Sequence, residues 1–219
     1  RMVTDTEPAP AAVAAMNAYL VAVIDHGMNA STFVARVVAS TGSDLVSSIV
    51  AAIGALKGPL HGGAPGPVLD MLDQIGDADG AERWLERELL AGRRIMGMGH
   101  RIYRVRDPRA AVLERAVLRL EQADASPGPR PRRLALARAV EKAATGILRA
   151  RHPQRPLAAN VEFYTAILLD ALGLPRTLFT PTFAVSRVAG WCAHVLEQRA
   201  AGRLIRPASR YVGSSATAA

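Results

Sequence analysis

The sequence predicts an all-α fold. Apolar residues recur three and four positions apart through most of the chain, no stretch alternates apolar and polar residues as a half-buried strand does, and no segment repeats. The composition agrees, because 50% of the residues are hydrophobic but only 5% are aromatic, a balance that suits helices packed through Ala, Leu and Val. At 219 residues the chain is long enough for one or two domains and for a core that removes roughly 70% of the unfolded surface from water.

Taken in order, residues 1–12 read as a disordered or truncated lead, and Ala11 to Ile24 as an apolar helix ending at Asp25-His26-Gly27. Asn29, Ser31 and Thr32 supply cap-type side chains ahead of Phe33, Val34, Val37 and Val38. Thr41-Gly42-Ser43 is a break, and Ser43 or Asp44 caps the next helix, Leu45 to Leu56. After it comes GPLHGGAPG at 58–66. Pro59 fixes one φ angle and removes a donor, and Gly62 and Gly63 let the backbone approach a ligand closely. A new helix is expected from Val68 to Gly76, which places His61 close to a helix N-terminus, where the dipole favours neutral imidazole over imidazolium. Such an imidazole can donate a hydrogen bond to a developing oxyanion, although a His in a turn is as often a polar filler.

Ala81 to Leu90 is a helix with Glu82, Arg83, Glu86, Arg87 and Glu88 on its outer side, and Gly92 stops it. Residues 93–110, RRIMGMGHRIYRVRDPRA, read as a loop because of their glycines, Arg cluster and Asp-Pro pair. Helical periodicity returns over Val112–Ala123, and 123–133 is a Pro-rich basic surface connection. Leu134–Ala150 is amphipathic, 152–160 is a loop, and Val161–Leu172 is a helix stopped by Gly173 and Pro175. Phe179–Arg199 is a long apolar helix carrying Arg187, Trp191 and His194, followed by a partly extended tail.

The net charge of +8 comes from 27 Lys and Arg against 19 Asp and Glu, and nearly all the cations are Arg. Arginine in excess suits bidentate binding of carboxylates and phosphates. No nucleic-acid motif or interleaved aromatics accompany it, which argues against a nucleic-acid binder. No run of about 18 uncharged apolar residues marks a membrane span, and no HExxH, Cys/His cluster or phosphate loop appears, so no metal is expected. The lone Cys192 fits a reducing, cytoplasmic compartment. Arg119, Arg132, Arg133, Arg138 and Arg149 read as a solvated face, and His194 as a packing or surface residue. Three loops, beginning at His61, His100 and Asn160, each bring one ionisable group next to a helix end. Two imidazoles and a carboxylate suit proton abstraction beside a carbonyl.

Six segments carry a resemblance: DHGMNAST (25–32), GPLHGGA (58–64), GMGHRIYRVRDPRA (97–110), NVEFY (160–164), LFTPTFAVSRVAGWCAHVLEQ (178–198) and RLIRPASRYVG (203–213). In this order and spacing they resemble the C-terminal part of the citrate synthases. The resemblance implies a helical fold with a large domain (1–61 and 166–219) and a small one (62–165), acting as a homodimer on acetyl-CoA and oxaloacetate without a further cofactor. By position, His61 would support the enolate of acetyl-CoA, Glu162 would remove the methyl proton and His100 would polarise the keto group of oxaloacetate. His26, Arg109, Arg187 and Arg206 match oxaloacetate-binding positions, Arg206 reaching the neighbouring subunit. Arg104 and Arg155 match basic positions near the CoA phosphates, and the backbone of Met96, Gly97, Met98 and Gly99 would meet the adenine.

Two departures qualify the match. Glu162 stands where the family has Asp, one methylene longer. The family also carries a long segment ahead of the part that matches Asp25, so the sequence is expected to be a fragment, or a split subunit that needs an N-terminal partner chain, with the N-terminal part of the large domain absent. A 2-methylcitrate synthase using propionyl-CoA is the alternative within the chemistry, because one methylene in an apolar pocket is worth only about 1–3 kcal/mol of discrimination. An inactive family member is the alternative outside it.

Overall fold

A computed structural model describes residues 2–3, 5–63, 65–99, 103, 105–123, 133–154 and 157–213. Among these residues it contains nine α-helices and no strand: α1 Pro10–Val23, α2 Ala30–Ser40, α3 Leu45–Leu56, α4 Pro65–Ile75, α5 Ala81–Leu90, α6 Pro108–Gln122, α7 Leu134–Arg151, α8 Val161–Ala171 and α9 Phe179–Ala201, the last preceded by a single 3₁₀ turn at Arg176–Leu178. No helix among the described residues is long and apolar enough to cross a membrane.

Local chemistry sets the starts. The Asn29 side chain accepts the Thr32 N–H at 3.1 Å, Asp44 accepts Ser47 N–H at 2.9 Å, and Asn160 accepts Phe163 N–H at 3.3 Å, each satisfying an orphan donor of a first turn. Two helices begin earlier than periodicity alone indicates. Helix α4 starts at Pro65 rather than Val68, and α6 at Pro108 rather than Val112. The reason for α6 is that Asp107 caps it, accepting Arg109 N–H at 3.0 Å, with Pro108 at the first helical position. There proline costs no hydrogen bond, so the Asp-Pro pair starts a helix instead of breaking one. Helix α1 likewise begins at Pro10, inside the stretch expected to be a lead.

Helix α8 lies at the centre. Val161 and every residue from Phe163 to Leu169 are buried, the pattern of a helix covered on all sides. Helices α4 and α6 pack on it, α7 meets α5 and α6, and α9 packs against α1, α2 and α3. Helix α1 also crosses α6 and so ties the two groups together. The α9–α1 seam is close because position 190 is glycine, where a Cβ would collide with the Ile24 carbonyl oxygen. Arg133 is not part of a solvated face. Its Nη1 lies 2.6 Å from Asp73 and its Nε donates to Asp170 at 2.9 Å, which pins the start of α7 to α4 and α8. Arg132 lies outside the described residues.

Candidate active site

The turn after α3 holds His61. Gly62 N–H donates to Leu56 O at 2.8 Å and His61 N–H to Gly58 O at 2.9 Å, so the helix closes in a tight turn. Thr180 at the start of α9 donates to Gly62 O at 3.1 Å. The His61 Nε2 atom lies 2.8 Å from Ser31 Oγ, and Trp191 Nε1–H donates to the same oxygen at 3.2 Å. Ser31 is fully buried and also reaches Asn29 Oδ1 at 2.8 Å. One hydroxyl proton therefore faces two acceptors, and its choice sets the His61 tautomer. Burial first, then the nearby Arg187 charge, push the His61 pKa down and keep the ring neutral. The neutral form is the one expected for this position, with desolvation and then a neighbouring cation as its causes here.

Arg187 is 1% exposed, on the face of α9 turned to α1. Its Nε donates to Val23 O at 2.8 Å, and its guanidinium stands 4.8 Å from the centre of the Phe183 ring. Among the described residues it has no carboxylate partner. Burial, then repulsion by Arg109, push its pKa down to about 10. His26, on the loop after α1, has its Nε2 3.0 Å from the Tyr103 hydroxyl.

The other side is built from 95–99 and 157–164. Met98 and Ala159 form an isolated antiparallel bridge. Gly99 N–H donates to Ala158 O at 2.7 Å, Asn160 N–H to Gly97 O at 2.9 Å, and Asn160 Nδ2 to Gly99 O at 3.0 Å. Gly97 has φ +74°, and a Cβ there would come within 2.8 Å of the Phe163 ring, so this close approach requires glycine. Of the backbone expected to meet an adenine, the Gly97 and Gly99 groups are therefore used inside the protein, while Met98 is buried and Met96 half-buried. The pairing sets the entry to α8, whose first turn carries Glu162. Burial pushes the Glu162 carboxyl up. Its own backbone N–H and the Arg109 and Arg187 charges oppose this, and the Asp107 charge adds to it.

Arg109 belongs to this side. Its Nε and Nη2 donate to Asp107 at 3.1 and 2.8 Å, a fork-to-carboxylate pair whose acid side chain is fully buried. Arg206 is exposed. The neighbouring Ile205 N–H is tied to Ser40 Oγ at 3.0 Å, at the end of α2 remote from Ser31. The structure thus brings His61, Arg187, Glu162 and Arg109 into one electrostatic neighbourhood, places His26 on the adjoining loop, and leaves Arg206 outside. His100, Arg104 and Arg155 lie outside the described residues.

Ser31, Tyr103 and Asp107 were not singled out as site groups from the sequence. Ser31 was legible only as a cap-type residue, and Asp107 only as a loop signal. Tyr103, between Ile102 and Arg104, carried no signal of its contact with His26. Chemically, the arrangement offers a neutral imidazole, a carboxyl group made a stronger proton acceptor by burial, and a guanidinium without a carboxylate partner among the described residues.

The family model described as citrate synthase, C-terminal domain, matches residues 1–208. A putative citrate synthase 2 of Mycobacterium tuberculosis is 48% identical over 207 residues, covering 94% of this chain and 53% of the relative. A 2-methylcitrate synthase of the same species is 42% identical, covering 94% and 50%. The structure of the Thermoplasma acidophilum citrate synthase with carboxymethyl coenzyme A and oxaloacetate superposes with a TM-score of 0.82 at 32% identity, over 97% of this chain and 55% of that one. The chain therefore spans about half the length of these relatives.

Proposed function

The chain belongs to the citrate synthase family, and we propose on that premise that it carries the groups that condense acetyl-CoA with oxaloacetate to give citrate and free CoA. The observation that carries the reading is Arg187, a buried guanidinium without a carboxylate partner among the described residues, with neutral His61 and Glu162 as its electrostatic neighbours. A buried cation is costly unless an anion arrives, and a dicarboxylic keto acid supplies one.

In this reading the Ser31 hydroxyl donates a hydrogen bond to His61 Nε2, so that the neutral ring carries its proton on Nδ1 and donates a hydrogen bond from there to the thioester oxygen. Glu162 removes a methyl proton, and the enolate attacks the keto carbon of oxaloacetate. His100 supplies the proton to the new alkoxide, and water then cleaves citryl-CoA. His26 and Arg187 bind oxaloacetate, joined by Arg109 once it turns from Asp107 and by Arg206 of a second subunit. Arg104 and Arg155 are assigned to the CoA phosphates, and of the 96–99 segment the half-buried Met96 is what remains to meet the adenine. We assign residues 1–61 and 166–219 to a large domain and 62–165 to a small one, joined through the continuous helix α8. The exposed stripe Val46, Val50 and Ile53 on α3, one helical face at four- and three-residue spacing, supports assembly with another chain.

The similarity to a 2-methylcitrate synthase keeps propionyl-CoA as the second acyl donor to compare. The test is thiol release by the intact protein from each acyl-CoA with oxaloacetate, in EDTA. Oxaloacetate-dependent release, faster with acetyl-CoA, is expected. Faster release with propionyl-CoA moves the assignment to 2-methylcitrate, and loss of activity in EDTA that a divalent ion restores contradicts the metal-free mechanism.

A further inference from the structure

Tyr19 sits in the middle of α1 and is fully buried, on the stripe Ala15, Tyr19 and Val23. Its hydroxyl has no hydrogen-bond partner among the described residues. A buried, unmet hydroxyl is destabilising, and an α-helix of Ala, Val and Leu could have held Phe there without that penalty. What surrounds Tyr19 is therefore informative. Helix α9 grips α1 in the turn that follows it: Ser186 Oγ donates to Leu20 O at 2.5 Å and Arg187 Nε to Val23 O at 2.8 Å. Val23 is one turn beyond Tyr19 on the same face. The charges that act on the phenol are those of Arg187 and, less strongly, Glu162. Trp84, another buried group with an unmet N–H, has no such setting, since it lies on α5 with Arg87 over its ring.

An unmet O–H donor and an unneutralised guanidinium in one buried seam lack the same thing, an anion that accepts from both. We propose that the Tyr19 hydroxyl is a further substrate-binding group, donating a hydrogen bond to the carboxylate that the Arg187 guanidinium holds. This rests on the functional reading above and deepens it. The class of ligand is a small carboxylate anchored on Arg187, for which oxaloacetate is the probe. A hydroxyl placed beside the guanidinium makes the site selective for a carboxylate that presents two oxygens, one to each donor. Because the hydroxyl is unmet in the free protein, its removal is expected to leave the free protein at least as stable.

The experiment is Tyr19→Phe in the intact protein, with oxaloacetate binding by calorimetry, the melting temperature without ligand and steady-state kinetics. The expected result is oxaloacetate affinity weakened roughly 10- to 100-fold, as for a lost hydrogen bond to a charged group. The KM for acetyl-CoA should stay within about twofold and the ligand-free melting temperature should be unchanged or higher. Unchanged oxaloacetate affinity with normal wild-type binding overturns this inference alone. Unchanged affinity with a displaced pH profile of turnover also overturns it, and assigns the hydroxyl to Glu162. A lower ligand-free melting temperature with equal weakening toward both substrates overturns it in favour of a structural role. If the wild-type protein does not bind oxaloacetate at all, the functional reading falls and this inference falls with it.

Discussion

The two sides of the site treat their polar groups in opposite ways. On the side made by α1, α2 and α9, groups are held ready and left incomplete: Arg187 is anchored through Nε to a carbonyl, with no carboxylate partner among the described residues, and the Tyr19 hydroxyl is unmet. On the side made by 95–110 and α8, the same kinds of group are already satisfied. Asp107 neutralises Arg109 through both ends of its fork, and the backbone of Gly97 and Gly99 is paired with 158–160. The first side is a preorganised receptor for charge, which lowers the cost of binding. The second is a frame whose rigidity places Glu162. Fixed position on one side and unmet charge on the other is a division that suits the proposed condensation between a held electrophile and a generated nucleophile.

Breaking the frame's chemistry has the largest expected effect. Glu162→Gln should lower turnover by about 10²–10⁴-fold, since an amide cannot take a proton, with oxaloacetate affinity retained because the receptor side is intact. Turnover within a fewfold of wild type sinks Glu162 as the base. On the receptor side, Ser31→Ala removes the oxygen shared by His61 and Trp191. It should lower kcat by about fivefold, consistent with one hydrogen bond of about 1 kcal/mol, and change the pH profile. A changed KM at constant kcat would instead make Ser31 a binding residue.

The smallest effect is on stability. The Glu162 pKa is raised in the folded state, so between the unfolded value near 4.5 and the folded value the native state holds more protons, and stability falls as pH rises through that window. Glu162→Gln should thus match wild type in acid and melt higher above the window, by about 2–4 °C per kcal/mol for a chain of this size. His61 has the opposite sign. Its folded pKa lies below 6.5, so stability is lost as pH falls below 6.5, and His61→Gln should lessen that acid loss. Melting curves across pH check both directions.

Most of the fold was legible because its signals are local. The Asn29 and Asp44 caps, the Gly92 stop and the periodicity of α5 and α9 depend on neighbours in sequence. Missed starts came from proline, whose role reverses between the first helical position and the interior, as at Asp107-Pro108. The site was legible through motif resemblance as a set of residue types, but not as geometry. Nothing local says that Asp107 turns back to hold Arg109 or that α9 presents Arg187 to the end of α1. These contacts, like that of His26 with Tyr103 across 77 residues, are made by packing and carry no signature in spacing.

Oxaloacetate binding to Arg187→Ala and Arg109→Ala, measured side by side by calorimetry on the intact protein, tests the asymmetry between the two sides most directly. Arg187 has no carboxylate to leave among the described residues, so its loss should weaken binding roughly 10- to 150-fold, the worth of a hydrogen bond to a charged group. Arg109 must first give up Asp107, so its loss should cost at least several-fold less. Equal losses, or a greater loss for Arg109→Ala, would contradict the claim that the α1–α9 side is the preorganised receptor.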